Sequence, residues 1–87
     1  MNNQIVELEE KVNEMLRDEI NPALWRQGCS MEISNIYPDG TSYVISMAVD
    51  YNEEMSDEVY EHARELEWFL RDELTMPGLV IEIEDCD

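Results

Sequence analysis

The sequence predicts a two-layer α+β sandwich in the order α-β-β-α-β, with a three-stranded sheet and two long helices on one of its faces. Two segments repeat apolar residues at steps of three and four, the spacing of an amphipathic helix. Three shorter segments alternate apolar and polar residues, the spacing of a half-buried strand. With 87 residues the chain suffices for one modest core, so we expect residues 1–87 to form a single domain.

The first helix is predicted from about Asn3 to Glu19. Asn21-Pro22 should end it, because the residue before a proline avoids the α region. One further turn before Gly28 is compatible with the sequence. Trp25 lies on this connector, and we expect its ring to seal the core, with partner binding as the alternative. The apolar face of the helix should consist of Ile5, Leu8, Val12, Met15 and Leu16.

Ser30 to Tyr37 and Thr41 to Val49 are predicted as the strands of an antiparallel hairpin. Tyr37-Pro38-Asp39-Gly40 between them has the residues that a tight turn prefers. The second strand should turn Tyr43, Ile45, Met47 and Val49 to one face and Ser42, Val44, Ser46 and Ala48 to the other.

The second long helix is predicted from Asn52 to Leu74, with Asn52 or Ser56 as its N-cap. Met76-Pro77-Gly78 should terminate it, and Leu79 to Glu84 should form the third strand. The apolar stripe of this helix should consist of Val59, Ala63, Leu66, Leu70 and Leu74.

Acidic residues dominate the charge of the chain: 22 Asp and Glu stand against five Lys and Arg, a formal net charge of −17. They are spread along the sequence and do not form a tail. Such a charge repels anions, so we expect no direct binding to nucleic acid or to an anionic membrane. The partner that this charge predicts is a basic protein.

The start of the chain is polar and acidic and lacks the apolar segment of a signal peptide. We therefore expect a cytoplasmic protein in which Cys29 and Cys86 are reduced thiols. Two cysteines so far apart do not make a metal site on their own.

The candidate functional site lies on the second long helix, on the side opposite its apolar stripe. Carboxylates there would steer a basic partner and pair with its Arg and Lys, and Trp68 in their midst would supply an apolar anchor. The alternative is a solvated helix face whose tryptophan bends back over the sheet edge. The predicted partner-binding residues are Asp57, Glu58, Tyr60, Glu61, Glu65, Trp68 and Asp72.

Neither catalysis nor a cofactor is expected. His62 is the single histidine, and the sequence offers no Ser-His-Asp or Cys-His arrangement and no enclosed pocket that would shift a carboxylate pKa. Asp50 to Glu61 has acids at the spacing of a calcium loop. Met55, however, stands where that loop needs glycine, and a strand leads into it where a helix is required. Cation binding by this segment stays open.

The stretch from Glu19 to Ile33 resembles the start of the NifU-like C-terminal domain, an iron–sulfur cluster scaffold. The order of the later elements is also similar, so the resemblance implies that fold and a protein-docking role. The Cys-x-x-Cys ligand pair of the family is missing, because Ala48–Asn52 stands in its place. No cluster ligand can therefore be carried over. The residues that match the family's spacing are Pro22, Leu24, Gly28 and Glu32.

The leading hypothesis is a non-enzymatic acidic protein that occupies a basic surface of a partner. Carboxylates along a helix can imitate a line of phosphates and so block a nucleic-acid-binding groove. In size and charge the chain is similar to phage-type DNA mimics and to anti-restriction or anti-CRISPR inhibitors. The alternative hypothesis is a degenerate NifU-like domain that acts as an accessory docking module in iron–sulfur cluster assembly.

Overall fold

The computed structural model describes residues 3–85, and the side chains of residues 4–84. The predicted order α-β-β-α-β is confirmed. An N-terminal helix in three parts precedes a hairpin, a second long helix and a last strand. The elements are α1 (Asn3–Met15), a π turn (Leu16–Ile20), α2 (Asn21–Trp25), β1 (Cys29–Asp39), β2 (Ser42–Tyr51), α3 (Glu58–Glu73) and β3 (Val80–Asp85).

The sheet has the order β1-β2-β3, so β2 is its central strand. β1 pairs with β2 antiparallel, and β3 pairs with β2 parallel. The N-terminal helix and α3 pack on the same face of the sheet, because the buried residues of both form one core cluster with that face of β2. The predicted assignment of β2 residues to two faces is confirmed, because Tyr43, Ile45, Met47 and Val49 belong to the core cluster, whereas Val44 and Ser46, although buried, do not.

The hairpin closes between Asp39 and Ser42, two residues later than predicted. Gly40 has a φ of +62° at the first central position of the turn, the arrangement typical of a type II′ hairpin. A bulge at Ser34, which the sequence prediction missed, shifts the register of β1. Because of this extra residue, Ile33 and Ile36 both pack against the core.

The N-terminal helix buries an apolar residue at every fourth position. In a regular α-helix such a row drifts around the axis by about 40° per step and would leave the core after a few turns. The π turn has more residues per turn and therefore rotates the row back. The buried row consists of Leu8, Val12, Leu16, Ile20 and Leu24, each 0–4% exposed.

The prediction that Asn21-Pro22 ends the first helix is wrong. Asn21 keeps helical angles (φ −63°, ψ −38°), and its N–H donates to the carbonyl of Leu16 across the π turn. Pro22 then stands in the first turn of α2, where a missing N–H is tolerated. The helix ends at Trp25, and Gly28, with a φ of +73°, leads the chain into β1.

Asn21 ties this helix to the outer edge of the sheet. Its Nδ2 donates to the carbonyl of Met31 at 2.9 Å, and its Oδ1 accepts from the N–H of Met31 at 2.8 Å. The side-chain amide thus stands in for the neighbouring strand that β1 lacks on this edge.

The predicted start of the second long helix at Asn52 is also wrong, because α3 begins only at Glu58. Asn52 lies against Gly28, whose lack of a side chain leaves room for it. Asp57, and not Asn52 or Ser56, is at the N-cap position, and its side chain forms no capping hydrogen bond. Ser56 Oγ, one residue earlier, accepts the N–H of Glu58 at 3.2 Å and so satisfies one amide of the first turn. The helix ends at Glu73, before the predicted Met76-Pro77-Gly78 stop.

Within residues 3–85, no helix is long and apolar enough to cross a membrane. Cys29 is a buried free thiol whose Sγ donates to the carbonyl of Gln27 at 3.6 Å. Cys86 lies outside the described residues.

Candidate protein-docking surface on helix α3

Helix α3 divides into a buried side and an exposed side. Val59, Ala63, Leu66 and Leu70 are buried, which confirms the main part of the predicted apolar stripe, and Leu74 is partly buried beyond the end of the helix. Each residue of a helix is rotated by about 100° from the one before it, which places Trp68 on the side opposite these buried residues. The helix therefore turns Trp68 away from the core.

Trp68 is 70% exposed. A ring bent back over the sheet edge would be largely buried, so this part of the alternative is wrong, whereas a solvated acidic helix face agrees with the exposure of Trp68. Among the residues that the structure describes, no side chain forms a hydrogen bond or ion pair with Trp68. An exposed indole of this kind is a large apolar surface available to a partner.

The structure brings five of the seven predicted site residues into one exposed stripe, which spans about 80° around the helix axis. The other two lie on either side of it. Tyr60 is 48% exposed but is separated from Trp68 by Arg64, and Glu58 is partly buried in the first turn. We call the five residues the α3 stripe: Asp57, Glu61, Glu65, Trp68 and Asp72.

The carboxylates of the α3 stripe have few partners of their own. Within residues 4–84, the ion pair that involves one of these carboxylates joins Glu65 to His62 Nδ1, at 3.9 Å. The Glu65 side chain is 78% exposed, so this pair is weak in water. The stripe therefore presents negative charge that is available to an external cation.

On the flank of α3, Glu67 and Arg71 have a structural role that the sequence did not reveal. Glu67 Oε2 accepts the N–H of Ile81 at 2.9 Å, and Arg71 Nε donates to the carbonyl of Leu79 at 2.8 Å. The two side chains also pair with each other at 3.2 Å. Both side chains hydrogen-bond to the backbone at the β3 edge of the sheet, so they do not belong to the surface that a partner would contact.

No arrangement for catalysis or metal binding emerges from the described residues. His62 contacts Glu65 and has no Ser, Thr or Cys hydroxyl or thiol hydrogen-bonded to it within residues 4–84. In the same range, no three His, Cys, Asp or Glu side chains are grouped so as to hold a metal ion. The calcium-loop spacing from Asp50 to Glu61 is divided between a strand, a loop and a helix.

The expectation that Trp25 seals the core is wrong. The Trp25 side chain is 64% exposed and lies at the rim of a recess on the outer face of the sheet. The core below the junction is closed instead by Leu24 and Cys29, which are buried. The spacing of the helical row, Leu8 to Leu24 in steps of four, was the signal that Leu24 and not Trp25 faces inward.

Comparison with protein-family models, with curated proteins and with solved structures gives no match to this chain. The resemblance to the NifU-like domain therefore stays a prediction. The residues that carry it lie where the N-terminal helix passes into β1, and Cys29 pairs across the sheet with Tyr51, beside the place of the family's missing cysteines.

Proposed function

We propose that the protein is a non-enzymatic acidic domain that docks the α3 stripe onto a basic surface of a nucleic-acid-binding protein and blocks access of the nucleic acid. The observation that carries this proposal is Trp68, 70% exposed among carboxylates that have almost no partners of their own. An apolar anchor surrounded by charge is the composition of an energetic hot spot with a steering rim.

The charge spacing of the stripe supports an imitation of phosphates only in part. From Asp57 to Asp72 the helix axis rises by about 22 Å, which gives about one carboxylate every 7 Å. One strand of DNA carries a charge about every 3.4 Å. The stripe therefore has roughly half the charge density of a DNA strand, and burial of Trp68 in the partner supplies the remaining affinity.

The proposal is tested by affinity capture from an extract of the source cells, with three baits. The wild type is compared with Glu61→Lys/Glu65→Lys and with Glu10→Lys/Glu14→Lys. The control reverses two exposed glutamates at the same spacing on α1, so both variants change the net charge by the same amount. Bound proteins are identified by mass spectrometry before and after addition of duplex DNA.

A basic nucleic-acid-binding protein should be retained by the wild type and by the α1 control and lost from the α3 variant. Duplex DNA and added salt should both release it, because they compete for the same charges. Retention that is equal for all three baits, or that DNA does not reverse, would overturn the proposal.

A second candidate function is an accessory module in iron–sulfur cluster assembly. The observation that favours it is the position of Cys29, opposite Tyr51 and next to the segment where the resembled family has its ligands. Cys29 is buried, and the described residues provide no complete ligand set for a cluster. Cluster absorption after anaerobic reconstitution with iron and sulfide, lost in Cys29→Ser, would support this function, and a colourless product would contradict it.

A further inference from the structure

The face of the sheet that points away from the helices is uncovered within the described part of the chain. The alternation along each strand brings small, apolar and acidic side chains together there. We call this surface the outer sheet face. Its residues are Ser30, Glu32, Asn35 and Tyr37 from β1, Val44, Ser46, Ala48 and Asp50 from β2, and Val80, Glu82 and Glu84 from β3.

The middle of the outer sheet face is closely packed. Val44 is 5% exposed and Ser46 is 3% exposed, although no helix lies above them. Side chains of the neighbouring strands shield them, and of these Tyr37 and Val80 remain 36% and 38% exposed. Val44 and Ser46 are therefore not accessible to a partner, which would contact the more exposed side chains beside them, Tyr37 and Val80 among them.

The carboxylate of Glu82 accepts two hydrogen bonds in the middle of this face. The hydroxyls of Tyr37 and Ser46, from the two other strands, both donate to Oε2 of Glu82, at 3.3 and 3.5 Å. No side chain within residues 4–84 bonds to Oε1 of Glu82. These hydrogen bonds are long, so they favour one position of the carboxylate without fixing it, and Oε1 stays available to a cation.

At the other end of the outer sheet face, Trp25 overhangs a recess of about 370 Å³. Glu32 and Asp50 line this recess together with Ala48. An exposed indole beside two carboxylates suits a guanidinium group, which stacks on aromatic rings and pairs with carboxylates.

No strand carries a Lys or Arg, because the five basic residues of the chain all fall within the N-terminal helix, the turn after it, or α3. Within residues 4–84, no acid of the outer sheet face forms an ion pair with a Lys or Arg. A second copy of this chain would bring like charges together, and nucleic acid would be repelled. Charge complementarity leaves a basic protein segment as the occupant.

We propose that the outer sheet face is a second docking surface, which binds an arginine-bearing segment of a partner protein between Trp25 and the carboxylate of Glu82. The helices lie between this face and the α3 stripe, so the two surfaces point to opposite sides of the molecule. The proposal does not depend on the function assigned to the α3 stripe. Together the two surfaces would allow one molecule to bridge two basic elements.

The test uses the full chain labelled with ¹⁵N and a synthetic nine-residue peptide with arginine at every second position. Addition of the peptide should shift the amide resonances of Tyr37, Ser46 and Glu82 and the indole resonance of Trp25. Glu82→Gln keeps an oxygen for both hydroxyls but removes the charge, and it should weaken binding about tenfold. Trp25→Ala, a change at an exposed side chain, should weaken it as well.

Glu14→Gln is the matched control, since it removes the same charge from an exposed position on α1. Equal weakening by Glu14→Gln and Glu82→Gln would overturn the proposal, as would shifts that are absent from the outer sheet face. Binding at this face should persist in Glu61→Lys/Glu65→Lys, which separates its failure from failure at the α3 stripe. Sedimentation that shows a dimer broken by Trp25→Ala would assign the face to a second copy and overturn the proposal.

Discussion

At the scale of single residues, Asn21 shows how a polar side chain completes a sheet. Its amide forms both hydrogen bonds with the backbone of Met31 that a neighbouring strand would form. Asn21→Ala leaves the N–H and the carbonyl of Met31 without these partners, so we expect the free energy of unfolding to fall by about 1–3 kcal/mol. Urea denaturation measures this change.

Asn13→Ala is the control for this substitution. Asn13 is exposed on α1, so its replacement should alter stability by no more than about 0.5 kcal/mol. Equal effects of the two substitutions would show that the contact between Asn21 and Met31 does not stabilise the fold.

The ionisation of Tyr37 makes the stability of the fold depend on pH. Burial first, and then the charge and hydrogen bond of Glu82, raise the pKa of Tyr37 above its ordinary value of 10.0. A raised pKa in the folded state means that this contribution to stability is complete below pH 10.0 and is lost as the pH rises through the folded-state value.

Glu82→Gln should lower the pKa of Tyr37, because it removes the negative charge that disfavours the phenolate. An NMR titration with labelled tyrosine measures this directly. The stability difference between wild type and Tyr37→Phe should be constant below pH 10.0 and should shrink above it. A Tyr37 titration unaffected by Glu82→Gln would refute the contact.

At the scale of elements, α3 protects the edge strand β3. Glu67 accepts the N–H of Ile81, and Arg71 holds both Glu67 and the carbonyl of Leu79. Glu67→Ala leaves a half-buried edge amide without its acceptor. We expect a loss of about 1–3 kcal/mol in unfolding free energy and faster hydrogen exchange at Ile81.

Glu65→Ala is the matched control, because it lies two residues away on the same helix and its side chain is 78% exposed. It should leave the exchange rate of Ile81 unchanged. The same acceleration in both variants would mean that general loosening of α3, and not the contact with Glu67, controls this edge.

The strands and helices with a regular apolar pattern were predicted from the sequence. The alternation of β2 and the stripe from Val59 to Leu70 have one strong period each, and the structure follows them. The further turn before Gly28 was allowed by the sequence, but the continuous helix through Asn21 was not predicted, because the local preference before Pro22 is overruled by the buried row that ends at Leu24. Asn52, the predicted start of α3, packs against Gly28 instead, a long-range contact that no local pattern encodes.

Part of the candidate site was predicted from the sequence, and part could not be. Helical periodicity alone places Trp68, Glu61 and Glu65 on one outward side, and the exposure of Trp68 agrees with this. The structural contacts of Glu67 and Arg71 need knowledge of which strand lies beside α3. The outer sheet face, likewise, takes shape only when the register of three strands is known.

At the scale of the whole molecule, the chain has a net charge of −17, and two opposite surfaces each combine four of its carboxylates with an exposed tryptophan. Charge alone would attract any cation, and its effect would fall with added salt. The two tryptophans, placed at the two acidic surfaces, are what would convert this general attraction into binding of particular partners.

The most direct test of the central claim is displacement of labelled duplex DNA from the captured basic partner, followed by fluorescence anisotropy at increasing NaCl. We predict that the wild type and Glu10→Lys/Glu14→Lys displace the DNA at similar concentrations, which rise with salt. Glu61→Lys/Glu65→Lys and Trp68→Ala should each require at least about tenfold more protein. Equal displacement by all four proteins, or displacement independent of salt, would contradict the docking function of the α3 stripe.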